Sequence, residues 1–172
     1  LIRQGTRTRV GLVVESGEPR EVMHFALLIG YGAGAINPYL AFETIAYLSG
    51  HQESSYEKAE RNFIRAIHKG VVKVMSKMGI SVVSSYRGGC NFEVLGLSRA
   101  VASEYLGGVT SRISGIGLAG LESKLAELHR WAWGHEDAVR LPVGGFYRQR
   151  SSGEAHALEA KSISLLQKAV RN

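Results

Sequence analysis

"GLVVESGEPREVMHFALLIGYGAGAINPYLAFETI" (residues 11–45) is the stretch whose reading decides the fold. The β-branched apolar run from Arg9 to Ser16 is stopped by Gly17 and Pro19, as a short buried strand would be. Glu18, Pro19 and Glu21 then lead into the apolar "VMHFALLIG", the composition that helix first turns favour. "GAINP" (34–38) reads as a second short strand, and "PYLAFETIAYL" (38–48) as a helix opened by Pro38. Strand, helix, strand and helix in immediate succession is the building unit of a parallel sheet. The glycines Gly30, Gly32 and Gly34 spell G-x-G-x-G, whereas a dinucleotide turn needs G-x-G-x-x-G directly after a strand. No G-x-x-x-x-G-K-[ST] occurs in the chain, so these glycines read as a turn and carry no nucleotide assignment.

The same alternation continues outward. Residues 50–56 are polar and read as a loop, after which Phe63, Ile67, Val71, Val74 and Met78 recur at helical spacing over Glu57 to Lys77. Gly70 is the point where that helix would be interrupted or bent. "ISVVSSY" (80–86) reads as a strand, "RGGCNFEVLGL" (87–97) as a turn into a helix, and "SRISGIG" (111–117) as a further strand. "LAGLESKLAELHRWAW" (118–133) carries Leu118, Leu121, Leu125, Leu128 and Ala132 along one helical face, and a last helix spans Lys161 to Val170. The fold class is therefore α/β, with alternating strand-helix units forming a partial parallel sheet or an incomplete barrel-like layer. About four strands are too few for a closed eight-stranded barrel.

Bulk properties exclude several functions. Lys and Arg outnumber Asp and Glu by 21 to 15, but the charges are scattered. The densest basic series, Arg61, Arg65, Lys69, Lys73 and Lys77, forms a stripe on one helix, the usual mark of a solvated face, with a polyanion-binding surface as the alternative. A single cysteine, Cys90, rules out an intrachain disulfide and a cysteine-ligated cluster built from this chain alone, and points to a reducing compartment. Phe25 to Ile36, the longest weakly polar run, is too short and too glycine-rich to span a bilayer. The chain starts at Leu1 and its opening lacks a signal-like apolar core, so it reads as an internal stretch of a longer polypeptide.

Catalytic motifs are sparse. Asp137 is the sole aspartate, no G-x-S-x-G elbow marks a serine nucleophile, and the six histidines make no H-x-x-x-H pair. Cys90 follows two glycines at an apparent helix start, where its thiol would be activated, or is a small buried residue. His24, among apolar residues, reads as a hydrogen-bonded core or interface histidine. If strand C-termini share one rim, then Glu15, Ser16, Asn37, Ser84, Ser85 and Ser114 line it, either as a polar site or as helix caps. Tyr86-Arg87 and "FYRQR" interleave aromatics with arginine, as single-strand binders do and as packed domain boundaries also do.

Four long ordered segments carry a resemblance: residues 11–45, "KGVVKVMSKMGISVVSSYRGGCNFEVLGLSR" (69–99), "SRISGIGLAGLE" (111–122) and "LPVGGFYRQRSSGEAHALEAKSISLLQKAVR" (141–171). Together they resemble the large chain of glutamate synthase, in the later part of its central domain. The resemblance implies that residues 1–140 are the C-terminal part of that domain and 141–172 a connection toward the FMN-binding synthase domain. It implies an oxidoreductase of glutamate biosynthesis and ammonia assimilation that makes two L-glutamate from L-glutamine and 2-oxoglutarate, with ammonia tunnelled between two sites. FMN and a 3Fe-4S cluster belong to the whole enzyme and not to this fragment, which by itself would be inactive. The partners implied are the remaining domains of the large chain and a small NADPH-oxidising subunit, in the cytoplasm, with no nucleic acid and no membrane. "SYRGGCNFE" (85–93) is similar to the bacterial pyridine-nucleotide type more than to the ferredoxin type.

No catalytic, cofactor or metal residue transfers onto this chain. The large chain's amidotransferase nucleophile is an N-terminal cysteine, and its cluster needs three cysteines. Instead Glu15, Ser16, Asn37, Lys73, Lys77, Ser81, Arg87 and Arg112, placed in the family-like motifs and at element ends, are the expected tunnel-facing or inter-domain residues of a scaffold and conduit. The rival readings are a stand-alone FMN barrel-type oxidoreductase and a basic polyanion-binding module.

Overall fold

The computed structural model describes residues 1–50, 53–89, 91–134, 144–145 and 148–171. They form two compact units, Leu1–Leu118 and Ala119–Asn172.

In the first unit, two 3-10 turns, Ile2–Gln4 and Arg7–Arg9, precede strand β1 (Val13–Glu15), helix α1 (Val22–Gly30) and strand β2 (Ala35–Asn37). The strands pair in parallel, Val13 with Ala35, Val14 with Ile36 and Glu15 with Asn37, with α1 as the crossover. Helix α1 starts later than Glu18 and Pro19 suggest. Glu18 N–H is taken by Ser16 Oγ (3.2 Å) and Arg20 N–H by His24 Nδ1 (3.2 Å), so these residues form a turn before the helix. His24 is thereby a half-buried, hydrogen-bonded residue. Gly32, at φ +109°, closes the turn into β2, and its carbonyl accepts from Arg7 Nη2 at 2.8 Å.

Helix α2 (Tyr39–Leu48) follows Pro38, whose carbonyl accepts from the Ala41 and Phe42 amides. Helix α3 (Glu53–Lys77) begins four residues before the predicted start and runs unbroken through Gly70. A side chain at Gly70 would overlap Val22, so this glycine marks the close crossing of α1 and α3 and not an interruption. Ile67, Val71 and Met75 of α3 are buried against Phe25 and Tyr86, with Val22, Ile29, Ile36 and Phe63 packed around them. Phe63 meets Phe25 and Phe42 edge-on, at 6.3 and 5.9 Å between ring centroids.

The expected strand at 80–86 is absent. Gly79 (φ +71°) and Ile80 close α3 by donating to the Ser76 and Met75 carbonyls, a Schellman ending that turns the chain back. Residues Val83–Tyr86 then form a single helical turn, α4, which delivers Tyr86 to the core. Nor are the described residues of 87–97 helical. Glu93 bridges Thr110, and strand β3 (Gly96–Leu97) pairs in parallel with β4 (Gly115–Ile116), the only paired part of "SRISGIG". A side chain at Gly115 would overlap the Gly96 backbone, so the two strands approach through glycine. Helix α5 (Arg99–Tyr105) comes after β3 and is capped by Ser98 Oγ, which accepts from Val101 N–H at 3.3 Å.

The described residues thus make an α/β fold with two separate two-stranded parallel sheets and no closed barrel. The other unit holds helices α6 (Leu118–Trp133, which begins at the unit boundary) and α7 (Ala160–Arg171), neither with a buried residue. Ahead of α7, Glu159 Oε1 accepts from His156 N–H (3.0 Å), and the His156 ring contacts the Gly145 carbonyl at 2.5 Å. Among the described residues, no helix is long and apolar enough to cross a membrane.

Candidate functional site

The first unit holds an apolar cleft of about 460 Å³. Helix α1 supplies Phe25 and Ile29, spaced by one helical turn, and the Ala33–Ile36 segment leading into β2 forms a second side. Helix α3 supplies the long wall, with Ile67, Val71 and Met75 at the floor and Ile64, His68 and Val72 at the lip. His68 is the single ionisable residue among those lining it. Small-molecule sites combine an apolar lining with several convergent polar groups, and this cleft lacks them.

A polar group sits at the C-terminal ends of β1 and β2. Asn37 Nδ2 donates to Glu15 Oε2 at 2.9 Å, and Ser16 N–H donates to the Asn37 carbonyl at 3.2 Å. Glu15, Ser16 and Asn37, expected from the sequence to share a rim, therefore do so. The wider rim does not form. Ser84 and Ser85 lie in α4 and not at a strand end, and Ser114 precedes β4, so it sits at that strand's start. Ser114, at φ +65°, accepts from Arg99 N–H at 3.3 Å.

The other candidates are dispersed. Lys73 and Lys77 are exposed on α3, one turn apart. Ser81 is exposed between α3 and α4, and Arg87 is exposed directly after α4. Arg112 pairs with Glu93 at 2.9 Å beside the β3–β4 pair, and its carbonyl accepts from Arg99 Nη2 at 2.6 Å. All five cations of the Arg61 to Lys77 stripe are exposed, as a solvated face requires. Cys90, His51, His135, Glu136, Asp137 and the first two residues of "FYRQR" lie outside the described residues. Among the described residues, no group of His, Cys, Asp and Glu is placed to hold a metal ion.

Tyr86 is the residue that sequence reasoning missed. Its ring is 1% exposed and its hydroxyl donates to the Ala26 carbonyl at 2.9 Å, so it ties α4 to α1 and offers no stacking platform for a base. Burial raises its phenol pKa above the ordinary value near 10.0. Only its place at the end of an apolar run hinted at this.

Comparison with known proteins bears on the whole chain. Residues 1–98 match the family model described as glutamate synthase central domain. The chain is 49% identical, over all of its length, to the glutamate synthase [NADPH] large chain of Azospirillum brasilense, of which it covers 12%. It is 48% identical over 99% of its length to the corresponding large chain of Bacillus subtilis, covering 11%. Against the ferredoxin-dependent glutamate synthase of Cyanidium caldarium the identity is 36% over 99% of the chain, again covering 12% of the relative. The chain thus spans about an eighth of the length of these relatives.

Proposed function

Because the chain belongs to the glutamate synthase family, within its central domain, we propose that it works as the scaffold and conduit of a glutamate synthase large chain. The whole enzyme would convert L-glutamine, 2-oxoglutarate, two electrons and two protons into two L-glutamate. Ammonia freed from glutamine travels inside the protein to the site of reductive amination, because free ammonia is protonated or lost in water, and a dry enclosed path prevents this. On this reading residues 1–140 close the central domain and 141–172 lead toward the synthase domain. The higher identity to the NADPH-named relatives than to the ferredoxin-named one favours a pyridine nucleotide as electron source, with a small NADPH-oxidising subunit as partner.

FMN and a 3Fe-4S cluster would carry the electrons elsewhere in that enzyme. The one cysteine of this chain cannot supply the three thiolates of a cluster, and among the described residues the apolar cleft, with His68 as its single ionisable lining residue, offers no grip for a flavin phosphate. On this reading its residues position other parts of the enzyme.

The observation that carries this reading is the family match over a segment whose parallel-strand ends hold one polar group, Glu15, Ser16 and Asn37. With Lys73, Lys77, Ser81, Arg87 and Arg112, these residues would line the tunnel or the domain interfaces. Alanine replacement of Glu15, Asn37 and Arg112 in the complete enzyme should let glutamine hydrolysis outrun glutamate formation. Full coupling of the two rates in every variant would remove these residues from the role.

A further inference from the structure

Residues 110–114, between α5 and β4, are pinned at four points of the backbone and side chains. Val94 N–H donates to the Thr110 carbonyl at 2.9 Å, and Ser111 Oγ donates to the Leu97 carbonyl at 3.0 Å. Arg99, the first residue of α5, holds the rest. Its Nε donates to the Ser111 carbonyl at 3.1 Å and its Nη2 to the Arg112 carbonyl at 2.6 Å. Its N–H, which a helix of this direction leaves without an internal acceptor, donates to Ser114 Oγ at 3.3 Å. Ser114 stands at φ +65°, a left-handed conformation that a residue with a Cβ keeps only where its surroundings impose it. Among the described residues the Arg99 guanidinium forms no ion pair, so its charge goes to these two carbonyls. The residue so fixed is Arg112. Its carbonyl is held by Arg99 and its guanidinium by Glu93 Oε1 at 2.9 Å, while its side chain stays 73% exposed. A side chain held at base and tip yet open to its surroundings is oriented before anything meets it.

We propose that Arg99 is the positioning residue for Arg112, an inference that rests on the role given above to Arg112 in coupling glutamine hydrolysis to glutamate formation. The guanidinium of Arg99 is a planar fork whose N–H groups meet two successive carbonyls at once, whereas a lysine ammonium is a point donor that serves one. Without the fork, nothing on the α5 side holds the Ser111 and Arg112 carbonyls, and Ser114 is free to leave φ +65°. The Arg112 backbone then turns, and its guanidinium leaves Glu93. Arg99 acts through Arg112 in this way and meets no reacting group itself.

The test uses the complete enzyme and compares Arg99→Lys, Arg112→Ala and the double variant. Two quantities are read: glutamine hydrolysed per 2-oxoglutarate converted, and hydrogen exchange of the Val94, Ser98 and Arg99 amides, whose bonds end on Thr110, Ile116 and Ser114. Arg99→Lys should speed exchange at these amides about fivefold and leave the α1 amides unchanged. It should also raise the hydrolysis ratio about threefold, as Arg112→Ala does. The double variant should be no worse than Arg112→Ala, because both changes remove one and the same interaction. Coupling kept in Arg99→Lys but lost in Arg112→Ala, or losses that add in the double variant, would overturn the positioning role and leave the reading of Arg112 standing. Unchanged exchange at the three amides, or equal loss of protection in α1, would overturn it as well. Coupling kept in Arg112→Ala would remove the role of Arg112 itself, and the inference with it.

Discussion

At the residue scale, Tyr86 joins packing to a hydrogen bond that no pattern in the sequence announces. Its hydroxyl reaches Ala26, sixty positions away, so the contact exists only once α3 has turned back on itself at Gly79 and Ile80. Tyr86→Phe keeps the ring and removes the bond, at a cost of about 1 kcal/mol. In the full-length protein this should appear as roughly fivefold faster hydrogen exchange of the α1 amides, and unchanged exchange would show that the bond contributes nothing. The raised phenol pKa adds a pH dependence. Above about pH 10 the unfolded tyrosine ionises while the folded one keeps its proton, so the folded state binds more protons and stability falls as pH rises through that window. Below it the group adds no slope. Tyr86→Phe should therefore flatten the alkaline loss of α1 protection, and an equally steep loss in the variant would assign it to another group. The polar trio of Glu15, Ser16 and Asn37 was more legible, because strand ends are local features. The pairing of Arg112 with Glu93 was not, since it depends on how β3 meets β4.

At the level of elements, periodicity located α3, α6 and α7 because helices bury or present one face every 3.6 residues, whatever surrounds them. It failed at 80–97. There β-branched residues favour extended backbone, but the Schellman ending of α3 and the burial of Tyr86 impose one helical turn, and residues 93–97 are then held by pairing with 110–116. Gly70 shows the same limit. In an isolated helix Gly to Ala is favourable by about 1 kcal/mol. Here the added methyl would overlap Val22 at the α1–α3 crossing, and overpacking costs about 1 to 3 kcal/mol. Gly70→Ala should thus be net destabilising, seen as lost exchange protection in both helices, whereas Gly79→Ala, with open space around it, should act through its φ of +71° on the end of α3 alone. Equal protection in wild type and Gly70→Ala would mean the crossing is looser than the side-chain overlap implies.

For the whole molecule, the quantity that matters is surface. Leu125, Leu128 and Trp133 of α6 and Leu165, Leu166 and Val170 of α7 are more than half exposed. Such faces normally meet other protein. The purified 172-residue chain should therefore elute larger than a monomer and bind a hydrophobic dye, without retaining added FMN. A dye-silent monomer would contradict the first expectation, and flavin bands that co-elute with protein would revive the stand-alone flavoprotein. The sequence by itself determined the family, the α/β class, the main helices and the first parallel strand pair, because these rest on ordered motifs and on short-range periodicity. Only the tertiary structure decided which glycines are crossing points, where Tyr86 is buried, which polar strand ends meet and which face of α3 stays open. Each of these depends on residues far apart in the chain being brought into contact, and local preference carries no information about that.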